Sequence, residues 1–143
     1  MGLNPNIWLP KLKFTLQTIA ITYPEHPNDV STKKYYDFIQ NLPLFLPIPE
    51  IGNTFSKILD DYPVTPYLDS RPSFIKWMHF IHNKINVSIE LPEITMDEAM
   101  IAYYEHYKPK AVKDEEQRKR REKFVFLGII IIIIIAVTYL YNK

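Results

Sequence analysis

The densest run of chemically capable side chains is Ser70-Arg71-x-x-Phe74-x-x-Trp77-x-x-x-x-His82-Asn83-x-Ile85-Asn86, with Pro92 six residues further on. On a helix His82 and Asn86 stand four residues apart and Asn83 and Asn86 three, so an imidazole and two amides share one face beside the indole of Trp77. Such a face can read a flat, polar heterocycle. Asparagine is a mediocre helix former because its side chain competes for backbone hydrogen bonds, and two of them late in an apolar helix need a reason. A purely structural reason serves equally well: a fraying last turn closed by an asparagine cap, with Trp77 as an ordinary core residue.

Reactive groups are scarcer. The 143 residues contain no cysteine, which removes disulfides, thiolate metal ligands, iron–sulfur ligation and a cysteine nucleophile together. His26, His79, His82 and His106 form no His-Glu-x-x-His pattern. His79 and His82 are spaced to chelate, yet no acidic ligand is fixed beside them, and no metal site is expected. Asp60-Asp61 precedes Tyr62-Pro63 at a helix end, where carboxylates cap or stay solvated. Hydrolytic chemistry has no support, since no Gly-x-Ser-x-Gly elbow occurs. Three glycines against twelve prolines also leave no glycine-rich phosphate loop.

The elements that must position the Trp77–Asn86 face read as short helices punctuated by proline. Leu9, Leu12, Leu16, Ile19 and Tyr23 recur at helical spacing before Pro24 and Pro27, which predicts a first helix over about 8–22. Ser31 or Thr32 is the expected cap of a second, carrying Tyr35, Phe38, Ile39 and Leu42 on one face. Pro49 suits the first turn of a third, with Ile51, Phe55, Ile58 and Leu59 inward. Phe74, Trp77, Ile81 and Ile85 mark a fourth, which ends by Pro92. Thr95 followed by Glu98 forms a capping box for a fifth, with Ala99, Met100, Tyr103 and Tyr107 behind it. The hydrophobic fraction of 47% suffices for a core. The fold class expected is all-α, a four- to five-helix bundle, with one further helix at the C-terminus.

That last helix is the clearest physical signal. Residues 124–141, FVFLGIIIIIIIAVTYLY, are eighteen without a charge and would reach roughly 27 Å as a helix. In a bilayer a helix satisfies its own backbone, and Tyr139 and Tyr141 would sit at the far interface. Arg118, Lys119, Arg120, Arg121 and Lys123 precede the apolar run and place that flank on the cytosolic side. Their simplest role is to stop at anionic headgroups. The expected organisation is a helical domain over 1–112, a charged juxtamembrane linker over 113–123 and a transmembrane helix over 124–141. With Asn142 and Lys143 alone following, the protein reads as tail-anchored and single-pass, its N-terminal domain cytosolic. Met1 to Pro10 has no secretory signal, and Met1-Gly2 is set aside as a myristoylation start because Asn6 stands where Ser or Thr is needed. Residues 1–112 hold ten Lys and Arg against twelve Asp and Glu, so the body is no nucleic-acid binder.

The 70–92 string is similar to the signature of the Erv/ALR family of FAD-linked sulfhydryl oxidases: Ser-Arg-x-x-Leu-x-x-Trp, then His-Asn-x-Val-Asn and Lys-Pro. The spacing matches position for position. Ile21-Thr22-Tyr23-Pro24 with Pro27 resembles the Tyr-Pro that ends the family's first helix. Trp8-Leu9-Pro10 resembles the Trp-Gly-Pro that begins it in compact viral members. Roughly 6–107 are covered. The resemblance implies a helical bundle with FAD at its mouth, the adenine and ribose end held by Trp77, His82, Asn83 and Asn86, and Trp8 lining the same cavity. It also implies protein thiol substrates, dimerisation through bundle faces and, for a viral protein, a host or virion membrane.

The departures from the family are on the reactive side. Ile48 and Ile51 occupy the positions of the redox Cys-x-x-Cys, in Ile48-Pro49-Glu50-Ile51, so no catalytic residue is expected. An isoleucine cannot ionise, attack a disulfide or be oxidised. Lys13 and Gln17 occupy the family's Trp and His that flank the flavin, and Leu91 replaces the Lys before Pro92. Two functions follow as expectations. One is a membrane-anchored member of the disulfide-forming family, passing electrons to FAD and oxygen but redox-impaired as written. The other is a non-enzymatic, membrane-tethered interaction protein on the same bundle.

Overall fold

A computed structural model describes residues 3–142; Met1-Gly2 and Lys143 lie outside the described residues. Every regular element among the described residues is helical. Helix α1 spans Pro5–Ile21, α2 Asp29–Asn41, α3 Pro49–Asp61, α4 Arg71–Ser88, α5 Met96–Glu105 and α6 Lys110–Tyr141. Short 3₁₀ turns at Leu42–Phe45 and Thr65–Tyr67 join α2 to α3 and α3 to α4. The chain forms two units, one running to Tyr103 and one from Tyr104 onward.

Local chemistry explains each start. Helix α1 begins three residues before the expected position 8, because the Asn4 side chain accepts from Asn6 N–H at 2.9 Å and Pro5 presets the first helical φ. Pro10 lies within α1 and forgoes one backbone bond without ending it. The expected cap of α2 at Ser31 or Thr32 is corrected to Asn28, which accepts from Ser31 N–H at 2.8 Å. Asn28 stays extended after Pro27, and Asp29 meets the positive end of the helix dipole. Helix α3 starts at Pro49 as read from sequence. In α5 the capping box is reciprocal: Thr95 N–H donates to Glu98 Oε2 at 2.8 Å, and Glu98 N–H donates to Thr95 Oγ1 at 3.2 Å. The Thr95 N–H and, at 2.8 Å, the Thr95 hydroxyl both donate to the Glu98 carboxyl and hold it below the usual carboxylate range.

The core of the first unit is built where α1 and α4 pack together, with α3 against α4. Leu9, Leu16, Ala20 and Tyr23 meet Phe74, Trp77, Met78, Ile81 and Ile85, all buried. Burying an aromatic or branched side chain stabilises by roughly 1.5–3 kcal/mol, so these positions dominate the folding free energy. Tyr23, Tyr35, Phe74 and Trp77 form a run of tilted and stacked rings with centroids 4.6–6.0 Å apart. The Tyr23 hydroxyl donates to the Leu68 carbonyl at 2.8 Å, and Arg71 Nε donates to the Tyr23 carbonyl. The end of α1 is thereby fastened to the start of α4. The two helices are antiparallel.

In the second unit, the charged stretch 113–123 is helical and continuous with 124–141 in α6. Lys108 bridges Glu105 at 2.8 Å and Glu116 at 3.0 Å, and Lys119 bridges Glu115 at 2.8 Å. Helix α6 is long and apolar enough to cross a membrane, and its apolar side chains are exposed.

At the start of α3, Gly52 lies so close to the preceding 3₁₀ turn that an added Cβ would stand 2.7 Å from the Pro43 carbonyl oxygen. The backbone there has no slack for a methyl group. Gly52→Ala is expected to destabilise the first unit by about 1–3 kcal/mol. The check is a urea titration of the full chain in detergent followed by tryptophan emission; an unchanged midpoint would show that the turn can move aside.

Candidate functional site

Helix α4 is continuous through Asn83 and Asn86 to Ser88, so neither asparagine is a terminal cap. The helix ends at Ile89, and Glu90 takes the left-handed conformation, φ 62°, which turns the chain back along the helix. Asn83 fastens that return by two bonds to the backbone of one residue, Ile94. Its Nδ2 donates to the Ile94 carbonyl at 2.9 Å, and its Oδ1 accepts from Ile94 N–H at 3.1 Å. Asn86 is buried and donates from Nδ2 to the Pro92 carbonyl at 3.2 Å. The two amides that looked surplus in an apolar helix therefore fold the 89–94 segment onto α4.

Trp77 is a core residue, its ring stacked with Phe74 and its Nε1–H donating to the Tyr62 carbonyl at 3.1 Å. Its polar atom is engaged by the protein. Trp8 and His82 differ. Each is partly buried as a whole residue, yet Trp8 Nε1 and His82 Nε2 are fully enclosed and have no hydrogen-bond partner. A buried polar group left unpaired costs about 1–3 kcal/mol, and native proteins keep few of them.

Between these two lies a contact that the spacing of α4 did not announce. Lys13, half-buried on α1, donates to Asn86 Oδ1. Because the helices are antiparallel, Trp8, toward the start of α1, and His82, one turn back along α4, fall on opposite sides of that contact. By helix rise the two are on the order of 13 Å apart along the α1/α4 seam. Gln17, next along α1, is buried and donates to Met100 Sδ at 3.4 Å.

The seam offers donors. An indole N–H can only donate, an ammonium can only donate, and a neutral imidazole nitrogen donates in one tautomer. Burial drives the His82 pKa down to about 3, reinforced by the nearby positive charge of Lys13 and by His79. The ring is therefore neutral at physiological pH. Burial also lowers the Lys13 pKa from its ordinary value. An elongated ligand rich in acceptors matches this row.

Ile48 and Ile51 are half-buried at the N-terminus of α3, one as its cap and one in its first turn. That location lowers a thiol pKa, through the helix dipole and free N–H groups. The side chains present have nothing to ionise. Among the described residues no group of three His, Asp or Glu side chains is placed to hold a metal ion.

The sequence profile of the Erv1 / Alr family matches residues 14–107. A protein of Acanthamoeba polyphaga mimivirus named as a FAD-linked sulfhydryl oxidase is 30% identical over 93 residues, 64% of this chain and 65% of that protein. One of Invertebrate iridescent virus 3, also named as a FAD-linked sulfhydryl oxidase, is 23% identical over 94 residues, 66% of this chain and 64% of that protein. The chain thus spans just under two thirds of the length of these relatives. Among solved structures, the yeast Erv1 core superposes with a TM-score of 0.63 at 19% identity, over 76% of this chain and 86% of that one. The FAD-binding domain of Erv1 from Saccharomyces cerevisiae gives 0.63 at 20% identity, over 75% and 96%.

The neutral, buried state of His82 has a consequence for stability. In the unfolded chain the ring takes a proton below about pH 6.5, whereas in the folded chain it resists protonation down to about 3. Between those values the unfolded state binds more protons, so stability rises with pH across this window and is flat with respect to His82 above it. His82→Gln is expected to lower the slope by up to about 1.4 kcal/mol per pH unit relative to wild type. Urea titrations of both proteins from pH 4 to 8 measure it; parallel curves would mean that the ring protonates in place.

Proposed function

The chain belongs to the Erv1/Alr family, and from that premise we propose that it is a membrane-anchored, FAD-holding member of the family that does not itself oxidise thiols. The observation that carries the flavin reading is the pair of enclosed, unpartnered ring nitrogens, Trp8 Nε1 and His82 Nε2. A dinucleotide is long and acceptor-rich, and the residues present fit it. Trp8 and His82 would donate to its acceptors, and Lys13, steadied by Asn86, would lie between them. Asn83 and Asn86 act by holding the 89–94 return in place, and Trp77 by packing the helix behind the site. When bound, FAD supplies a two-electron acceptor that oxygen can reoxidise.

What the chain does not supply is the donor side. Thiol oxidation needs a thiolate to attack the substrate and a second sulfur to close the disulfide. Ile48 and Ile51 stand one helical turn apart at the positions where the family pattern has these sulfurs, and the chain contains no cysteine elsewhere. The membrane part of the reading rests on the apolar half of α6, residues 124–141. Arg118, Lys119, Arg120, Arg121 and Lys123 set the bundle on the cytosolic face of a host or virion membrane. A bundle that holds flavin without a dithiol is suited to tether or present a partner at that surface.

The full-length chain purified in detergent is expected to carry flavin absorbance in the 450 nm region, on the order of one flavin per chain. A colourless protein that takes up no added FAD would end the flavin reading. The same sample is expected to show no dithiothreitol-dependent oxygen uptake in an oxygen electrode. The double substitution Ile48→Cys with Ile51→Cys is expected to gain it, because the helix N-terminus favours the thiolate. Oxygen uptake by the unmodified chain would overturn the loss of oxidase function.

A further inference from the structure

Helices α1 and α4, which form the seam, carry Lys11, Lys13, Arg71, Lys76 and Lys84 and neither Asp nor Glu. Four of these five cations are accounted for. Lys11 and Lys76 are exposed, Arg71 donates to the Tyr23 carbonyl, and Lys84 faces Glu93 at 3.8 Å and the rings of Tyr62 and Phe80. Lys13 is different. It is half-buried, no carboxylate pairs with it among the described residues, and its partner is the neutral amide oxygen of Asn86. An ammonium drawn out of water costs free energy unless a counter-charge answers it. The His82 ring, which feels the Lys13 charge, is not a carboxylate either, and its Nε2, like Trp8 Nε1, has no protein partner. Every polar feature of this stretch looks for an acceptor, and its one formal charge looks for an anion.

We propose that Lys13 is the counter-charge for an anionic oxygen on the ligand of the α1/α4 seam, and thereby favours a flavin that carries that charge, on its phosphates or on its reduced ring. This rests on the flavin reading above and adds to it a specificity-determining residue peculiar to this chain. Two parts of such a ligand carry anionic oxygen: its phosphates always, and its ring system once reduced. The Asn86 amide has a second job in this view. It holds the ammonium in register while its other end is fixed to Pro92, so the charge cannot swing out to solvent.

The test uses the full-length chain in detergent, as wild type, K13Q, K13M and K13R, with intact folding of each checked by tryptophan emission. FAD and riboflavin are titrated by quenching of flavin fluorescence, and the potential of bound FAD is read by reductive titration. If phosphate is the partner, K13Q and K13M lose at least tenfold in FAD affinity while riboflavin binding is unchanged, and K13R stays near wild type. If the reduced ring is the partner, K13Q keeps FAD affinity but its flavin potential falls by about 30 mV or more, the equivalent of a tenfold change for a two-electron couple. Wild-type affinity together with wild-type potential in K13Q overturns this proposal alone, as does K13R falling as far as K13Q. Failure of the wild type to bind any flavin overturns it together with the reading on which it rests.

Discussion

The antiparallel seam between α1 and α4 is the constraint on which the rest depends, and it is fastened at both ends by bonds of different kinds. At one end the Tyr23 hydroxyl donates to the Leu68 carbonyl just before α4, and Arg71 at the start of α4 donates to the Tyr23 carbonyl at the close of α1. At the other Lys13 meets Asn86, which in turn holds Pro92. Between them the buried faces interlock through Leu16, Ala20, Phe74, Trp77 and Ile81, and Leu9 extends the core beyond Lys13. Fixing both ends fixes the register. Trp8, Lys13 and His82 all lie on these two helices, and two of their nitrogens are enclosed without a partner.

Elements whose cause lies within a few residues were legible from the sequence. Pro49 opens α3 and Thr95 with Glu98 caps α5 because the deciding groups are at most three residues apart. Where two local signals competed the earlier one won, as when Asn28 rather than Ser31 capped α2 and Asn4-Pro5 began α1 ahead of its apolar stripe. The roles of the site residues were less legible. Asn83 and Asn86 could be seen to share a helix face, but their partners at Ile94 and Pro92 depend on a chain reversal through Glu90, which no periodicity announces. The Lys13–Asn86 contact joins positions 73 residues apart. The sequence clue to it was an absence, two packed helices with no acidic residue in either.

The family relationship and the local chemistry pull in one direction for binding and in another for reaction. The seam retains an indole, an imidazole and amides at the spacing that marks the family. The start of α3 carries Pro49, the close-packed Gly52 and a helix N-terminus, a place that would favour a thiolate. No sulfur stands there: Ile48 and Ile51, each bulkier than cysteine, have nothing to ionise or oxidise. Lys13 brings a charge to the seam, and Gln17 turns inward to Met100.

The central claim is that the enclosed donors of the seam exist to meet a flavin, and Trp8 reports on it directly, because the chain has only one other tryptophan. Nitrogen-15 NMR of the indole groups in detergent gives one Nε1–H signal each for Trp8 and Trp77. On saturation with FAD the account predicts that the Trp8 signal shifts and becomes protected from hydrogen exchange, while the Trp77 signal, already bonded to the Tyr62 carbonyl, stays in place. A Trp8 signal that does not move at saturating FAD would contradict it.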